Sequence, residues 1–335
     1  MHDIRDRLAD GDDPTITVLP DGSIDRRFEI VDADGRALTR EALSREILED
    51  AKTLMTRPLG EKPGGQSVNA ARQLHELGAD TTLVGHLDDP IFASLPFDRY
   101  SMGDPAEILV YELADGVLMF AAESEDIQAW TIERFRSTVG SAAEPLLTAD
   151  AVLWTNWSAF PHATEGLLAV EDVVDDGNVL VLDPGAVATR PTDDRIALLD
   201  TLGSMEPSFD VVLSPNRREA NHVVEAIGEP TTDRVHVAET IRERADIEAV
   251  VVHDLPSAAV ATSGRTFEVP TIERVVPSRH TGGGDRFSAG IVFGLAAGWS
   301  WEETVTLGNA CATYYLQSGA SGGPADLAAL FEPED

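Results

Sequence analysis

The chain has 335 residues, 43% of them hydrophobic, and carries 59 acids against 25 bases for a formal net charge of −34. This apolar content excludes a disordered chain, and no stretch approaches the roughly 20 apolar residues of a membrane helix. So acidic a chain lacks the basic face that a nucleic-acid partner requires. Strands are expected at "TITVLP" from Thr15, and a strand and turn at "RRFEIVDADGRAL" from Arg26, followed by a charged helix over about Thr39 to Met55. A helix over Gln66 to Leu77 precedes the strand "TTLVGH" from Thr81. The stretch "PIFASLPFDRYSMGDPAE" is too short and proline-rich for much helix, so a loop is expected there, with Arg99, Tyr100 or Met102 either lining a pocket or packed on the core. "EILVYELADGVLMFAAES" from Glu107 reads as two strands around an Asp115-Gly116 hairpin turn. Strands at Ala151, Val179, Asp210 and Ala249 then alternate with helices over His162 to Val174, Asn216 to Ile227 and Arg234 to Arg244. A helix from Asp285 to Ala297 and, from Trp301, two helices split by a Gly/Ser loop complete the chain.

Near-continuous apolar strands suit a sheet covered on both faces, and their alternation with helices implies a mostly parallel α/β sheet. One domain over residues 1–335 is expected. The segments at about 26–60 and 105–125 break the alternation and are expected to pair into a small β lid beside the main sheet. The single Cys311 leaves no disulfide and no multi-cysteine metal site. The charged N-terminus has no apolar h-region, so a cytoplasmic, soluble protein is expected. Only Lys52 and Lys62 are lysines. The charge balance reads as halophilic adaptation, with repulsion between carboxylates screened by salt.

The stretch "RHTGGGDRFSAG" concentrates chemistry. Gly282, Gly283 and Gly284 let the backbone approach a ligand just before a helix start, where free amides and the helix dipole favour an anion. Asp285 at that edge can take a proton from an attacking hydroxyl while the amides stabilise a phosphoryl group in transfer. An N-capping Asp after a flexible loop is the plainer alternative. No P-loop, dinucleotide fingerprint, H-E-x-x-H or G-x-S-x-G motif is present.

A second stretch, "PGGQSVNAARQLHELGADTTLVGHLDD", supplies Gly64, Gly65, Asn69, Ala71, Leu77, Gly78 and Gly85 in a G-G-x-x-x-N-x-A…L-G…G pattern. With Thr281–Asp285 and the N-x-x-E of Asn216 and Glu219, it resembles the ribokinase-like, PfkB-type carbohydrate kinases over nearly the whole chain. The resemblance implies a Rossmann-like three-layer αβα sandwich with a β lid, and transfer of the ATP γ-phosphoryl group to a hydroxyl of a sugar or related molecule. It implies Asp285 as base and the Gly282–Gly284 amides as anion hole. It implies Asp25 (before Asp21), Gly64, Gly65 and Asn69 as acceptor contacts. It implies Glu219 with Asn216 near Mg²⁺ and the phosphates, and Thr281, His253 and Asn309 beside the nucleotide. Asn156, at a strand's C-terminal end, is a further acceptor candidate, and Asp183 is similarly placed. Lids of such kinases often pair, so a homodimer through the lid is expected. Asn216 and Glu219 equally read as a capping box.

The resemblance is incomplete. Arg279-His280 stand where the family usually has Asp-Thr, and His253–Pro256 stand where it often has T-x-G, which bears on the choice of donor. A nucleoside kinase and a non-catalytic sugar- or nucleotide-binding member of the same fold are the two rival expectations.

Overall fold

A computed structural model describes residues 4–171, 174, 178–272 and 281–332. Its strands are β1 (Thr15–Leu19), β2 (Ser23–Val31), β3 (Met55–Gly64), β4 (Asp80–Gly85), β5 (Asp98–Ser101), β6 (Ala106–Leu113) and β7 (Gly116–Ala122). They continue with β8 (Ala151–Thr155), β9 (Val179–Asp183), β10 (Asp210–Leu213), β11 (Ala249–Val252), β12 (Ser257–Thr262) and β13 (Thr266–Pro270). Nine form one sheet in the order β13-β12-β11-β10-β9-β8-β1-β4-β5. The pairs from β5 to β11 are parallel, and β12 and β13 add an antiparallel edge.

The burial of successive residues explains the layers. In β8, Ala151 and Leu153 join one apolar cluster while Val152 and Trp154 join another. A strand that is apolar on both sides must be covered on both sides. Helices Gln66–Leu77, Gly283–Ala296, Trp301–Ser318 and Pro324–Ala329 share the cluster of Leu153. Helices Thr192–Met205, Arg217–Ala226 and Arg234–Ala245 share that of Trp154. Helices Gly283–Ala296 and Trp301–Ser318 cross so closely that a Cβ on Gly290 would lie 2.7 Å from the Gly308 Cα. No helix of the described residues is long and apolar enough to cross a membrane.

The remaining strands form a second sheet, β3-β2-β6-β7. β2 runs parallel to β6 and antiparallel to β3, and Leu113 opposite Gly116 closes the β6–β7 hairpin. One side of this sheet packs on Ile30, Leu43 and Leu113, a small cluster of its own.

Several sequence expectations need correction. The charged helix runs only over Arg40–Leu48, not to Met55. Asp50, in a left-handed conformation, turns the chain back, and Met55 onward is strand paired with β2. The proline-rich stretch is not all loop, because β5 extends the main sheet beside β4. Met102 is buried there with its sulfur beside Trp130 Nε1 at 3.1 Å, and Arg99 donates to the Leu95 and Ala93 carbonyls. The β8-to-β9 connection holds a helix over Ala163–Glu171, where His162 to Val174 is expected, and Val174 lies outside it. The glycine-turn helix begins at Gly283, two residues before Asp285.

Candidate active site

Strand order reverses about β1, whose neighbours β4 and β8 lie far apart in sequence, and ligands of open α/β sheets bind at the carboxyl ends of strands beside such a point. A cavity of about 1050 Å³ opens there. Its floor includes Asp21 beyond β1, Asn156 beyond β8 and Asp183 at the end of β9, and its roof includes Asp25, Lys62, Ile108 and Met119 from the small sheet.

The glycine turn forms one wall. Gly282 caps the Gly283–Ala296 helix with φ +84°, a conformation that strains any side-chain-bearing residue. The helix's first amides have no partner one turn earlier, and Gly282, Gly283 and Gly284 all line the cavity. A Cβ on Gly284 would approach His253 Cε1 to 3.0 Å. Asp285 follows, buried, with Oδ2 accepting from Asn69 Nδ2 at 2.7 Å. Arg286 comes next, also buried, with Nη1 3.6 Å from that Asp285 oxygen. Arg286 donates to the Gly282 carbonyl and to Asn69 Oδ1, each at 3.1 Å, and its guanidinium lies 3.8 Å from the Tyr315 ring centroid.

The opposite wall starts at a second helix N-terminus. Gly65, at φ +97°, caps Gln66–Leu77, and the Asp21 carboxylate accepts from the Gln66 and Ser67 amides at 3.1 and 2.8 Å and from Asn156 Nδ2 at 2.9 Å. Asp25 accepts from Ser23 Oγ and faces Lys62 Nζ at 3.8 Å. Gly64 does not line the cavity; it lets β3 pass against Asp25, whose Oδ1 would be 2.0 Å from a Cβ there.

On the nucleotide-expected side, Asn216 and Glu219 form a reciprocal capping box at the Arg217–Ala226 helix, and both also reach the cavity. Thr281 and His253 line it too, and the His253 ring packs 4.9 Å from that of Phe287. Asn309 lines it while donating to the Val269 and Pro270 carbonyls, so it also ties the Trp301–Ser318 helix to β13. Arg279 and His280 lie outside the described residues.

The cavity is crowded with carboxylates. Burial raises the Asp285 pKa, against the Arg286 charge and the Asn69 hydrogen bond. Burial takes Asp21 up to about 6 and Glu123 to about 7. Burial, with negative neighbours adding to it, also raises Asp183 and Glu219. Asp183 is held by Ser288 Oγ at 2.9 Å and Gln66 Nε2 at 3.2 Å. Burial takes His253 down to about 4, so this imidazole is neutral near pH 7.

Sequence reasoning passed over Gln66, Glu123 and Arg286. Arg286 had a signal, a lone cation immediately before the apolar run "FSAGIVFGLA". Glu123 had none.

A central parallel sheet between helix layers, with a glycine turn and a buried carboxylate at the carboxyl ends of its strands, defines a kinase of the ribokinase fold. The crystal structure of a ribokinase from Thermotoga maritima superposes with a TM-score of 0.70 at 16% identity, over 96% of this chain and 100% of that one. Phosphofructokinase-2 from Escherichia coli gives 0.68 at 16% identity, over 95% and 98%. The chain belongs to the prokaryotic ketohexokinase family, whose sequence profile matches residues 20–333, and it is a carbohydrate kinase. It is 24% identical over 324 residues to the ketohexokinase of Haloferax volcanii, covering 90% of this chain and 86% of that one.

Proposed function

We propose that the protein transfers the γ-phosphoryl group of ATP to a hydroxyl of a ketohexose, with Asp285 as general base. The observation that carries this reading is the buried Asp285 carboxylate at the first turn of a glycine-capped helix, held by Asn69 Nδ2 at 2.7 Å and open to the cavity. Asp25, Asn69 and Asn156 hold the sugar hydroxyls, Asp21 fixes the amides and Asn156 that shape that pocket, and the small sheet closes over the sugar as a lid. The acceptor hydroxyl gives its proton to Asp285 as its oxygen attacks the γ-phosphorus, and the bond to the ADP oxygen breaks. The Gly283 and Gly284 amides, with the positive end of the helix dipole, receive the charge on the equatorial oxygens. Thr281, His253 and Asn309 line the path of the nucleotide, and neutral His253 supports the glycine turn from below.

The donor set fits Mg²⁺. Glu219 and Asp183 are buried carboxylates whose raised pKa values reflect desolvation first and then neighbouring carboxylate charge, Asp285 acting on Asp183 and Asp183 on Glu219, which a hard dication relieves. Glu219 and Asp183 would hold the ion with its waters, and it supplies neutralisation of the phosphate charge.

Asp285→Asn preserves shape and removes the base. In high salt, a coupled assay for ADP with a ketohexose as acceptor should show kcat lowered by about 10²–10⁴-fold, with sugar binding retained. Wild-type protein that binds the sugar, shown by a thermal shift, yet never forms a sugar phosphate would overturn the reading in favour of a non-catalytic binder. Preferred turnover of a nucleoside would move the acceptor class.

A further inference from the structure

A second cavity, of about 300 Å³, shares Lys62, Asn69 and Tyr315 with the first as a common wall. Its other lining residues include Arg72 and His75 from the Gln66–Leu77 helix and Arg286 from the glycine-turn helix. In a chain with 59 acids and 25 bases, three cationic side chains and an imidazole on one small cavity invert the local charge.

The carboxylates do not balance them. Lys62 faces Asp25 at 3.8 Å and Arg286 faces Asp285 at 3.6 Å, but among the described residues Arg72 forms no ion pair. Glu76, the one acid among the described lining residues, is exposed and pairs with neither arginine. The Nε atoms of Arg72 and Arg286 are both buried without a hydrogen-bond partner. Burial lowers the pKa of both guanidiniums, and their mutual repulsion lowers that of Arg286 further. Two guanidiniums, of which only that of Arg286 faces a carboxylate and each of which holds an idle buried N–H, leave a donor set without its acceptor. Such forks match the oxygens of a phosphate group.

We propose that this cavity binds a small phosphate-type oxyanion, free phosphate or a phosphomonoester head group, between Arg72 and Arg286, as an effector distinct from the phosphoryl group in transfer. Arg286 links the two cavities, because the same guanidinium holds the Gly282 carbonyl, Asn69 and Asp285. An occupant that draws Arg286 toward Arg72 therefore acts on the glycine turn. This site goes beyond the kinase reading, and its test needs no turnover.

Inorganic phosphate is titrated calorimetrically into the full chain at fixed ionic strength, with a non-hydrolysable ATP analogue and Mg²⁺ present to fill the glycine turn. Saturable one-site binding is expected, weakened at least ~10-fold in Arg72→Gln, the size expected for losing a charged hydrogen bond. A parallel titration with a hexose monophosphate separates the sources, and tighter binding of either names it. Arg72→Lys keeps the charge and loses the fork, so it should bind with intermediate affinity. The proposal is overturned if neither anion binds saturably, or if Arg72→Gln or Arg72→Lys binds as tightly as the wild type.

Discussion

The two sheets differ in what holds them. In the nine-stranded sheet, β8 to β11 are buried on both faces, and Val18, Leu153, Val181 and Val251 expose none of their surface. In the four-stranded sheet, β3 is exposed from Met55 to Glu61, and three buried residues, Ile30, Leu43 and Leu113, form its own core. Much of the rest is charge pairing across strands, Arg27 to Glu112 and Arg57 to Glu29. Buried apolar surface holds a structure together at any salt concentration, whereas exposed ion pairs contribute little and are screened. The large sheet is therefore a fixed frame for Asp285, and the small one is the less firmly packed roof of the cavity, the part that would move if it serves as the proposed lid.

The sharpest way to break this contrast is to cut the two cores. Leu153→Ala in the large sheet should cost about 2–5 kcal/mol of global stability, seen as a fall in the denaturant midpoint. Leu43→Ala, on the helix that packs against the small sheet, should leave that midpoint closer to the wild type and instead raise KM for the sugar. Equal losses of midpoint in the two variants would mean that the sheets unfold as one unit.

A smaller effect comes from the acids lining the cavity. Asp21 is raised from 3.8 to about 6 and Glu123 from 4.5 to about 7 on folding. A raised folded pKa means that the folded state holds its proton more tightly. Stability from this source is complete below the unfolded values and is lost as pH rises through the folded ones. The thermal midpoint of the ligand-free protein should therefore fall between about pH 4 and pH 7, and Asp21→Asn should flatten the slope. An unchanged slope in that variant would remove Asp21 from the account.

The smallest effect belongs to the rim of the small sheet. Arg57 is 55% exposed beside Glu29, so Arg57→Ala should change stability by about 0–1 kcal/mol. Any shift in sugar KM should vanish in molar salt, as steady-state kinetics across a salt series would show.

The frame was readable in the sequence because burial writes itself into residue pattern. The apolar runs from Thr15, Thr81, Ala151, Val179, Asp210 and Ala249 are all strands of the large sheet, and Gln66–Leu77 is a helix with those same bounds. β3 left no such trace. "MTRPLGEKPG" is polar, holds two prolines and two glycines, and is a strand because β2 offers it backbone partners. The charged helix was drawn too long for a related reason, since no Gly or Pro marks its stop and the turn falls on Asp50. Around the cavity, Gly282–Asp285 and Asn69 carry a readable spacing. The partnership of Asn69 with Asp285 and Arg286, across more than 200 residues, exists only in the folded chain.

The bare backbone contact between Gly290 and Gly308 has a consequence for how such a protein can change. Where two helices touch main chain to main chain, neither can slide without collision, so the carboxylate carried one turn away inherits their immobility. New sugar preferences are then far easier to acquire on the exposed, loosely packed roof than on this unyielding base. Within a lineage, variation in taste should therefore accumulate above the cavity while the chemistry beneath stays in place.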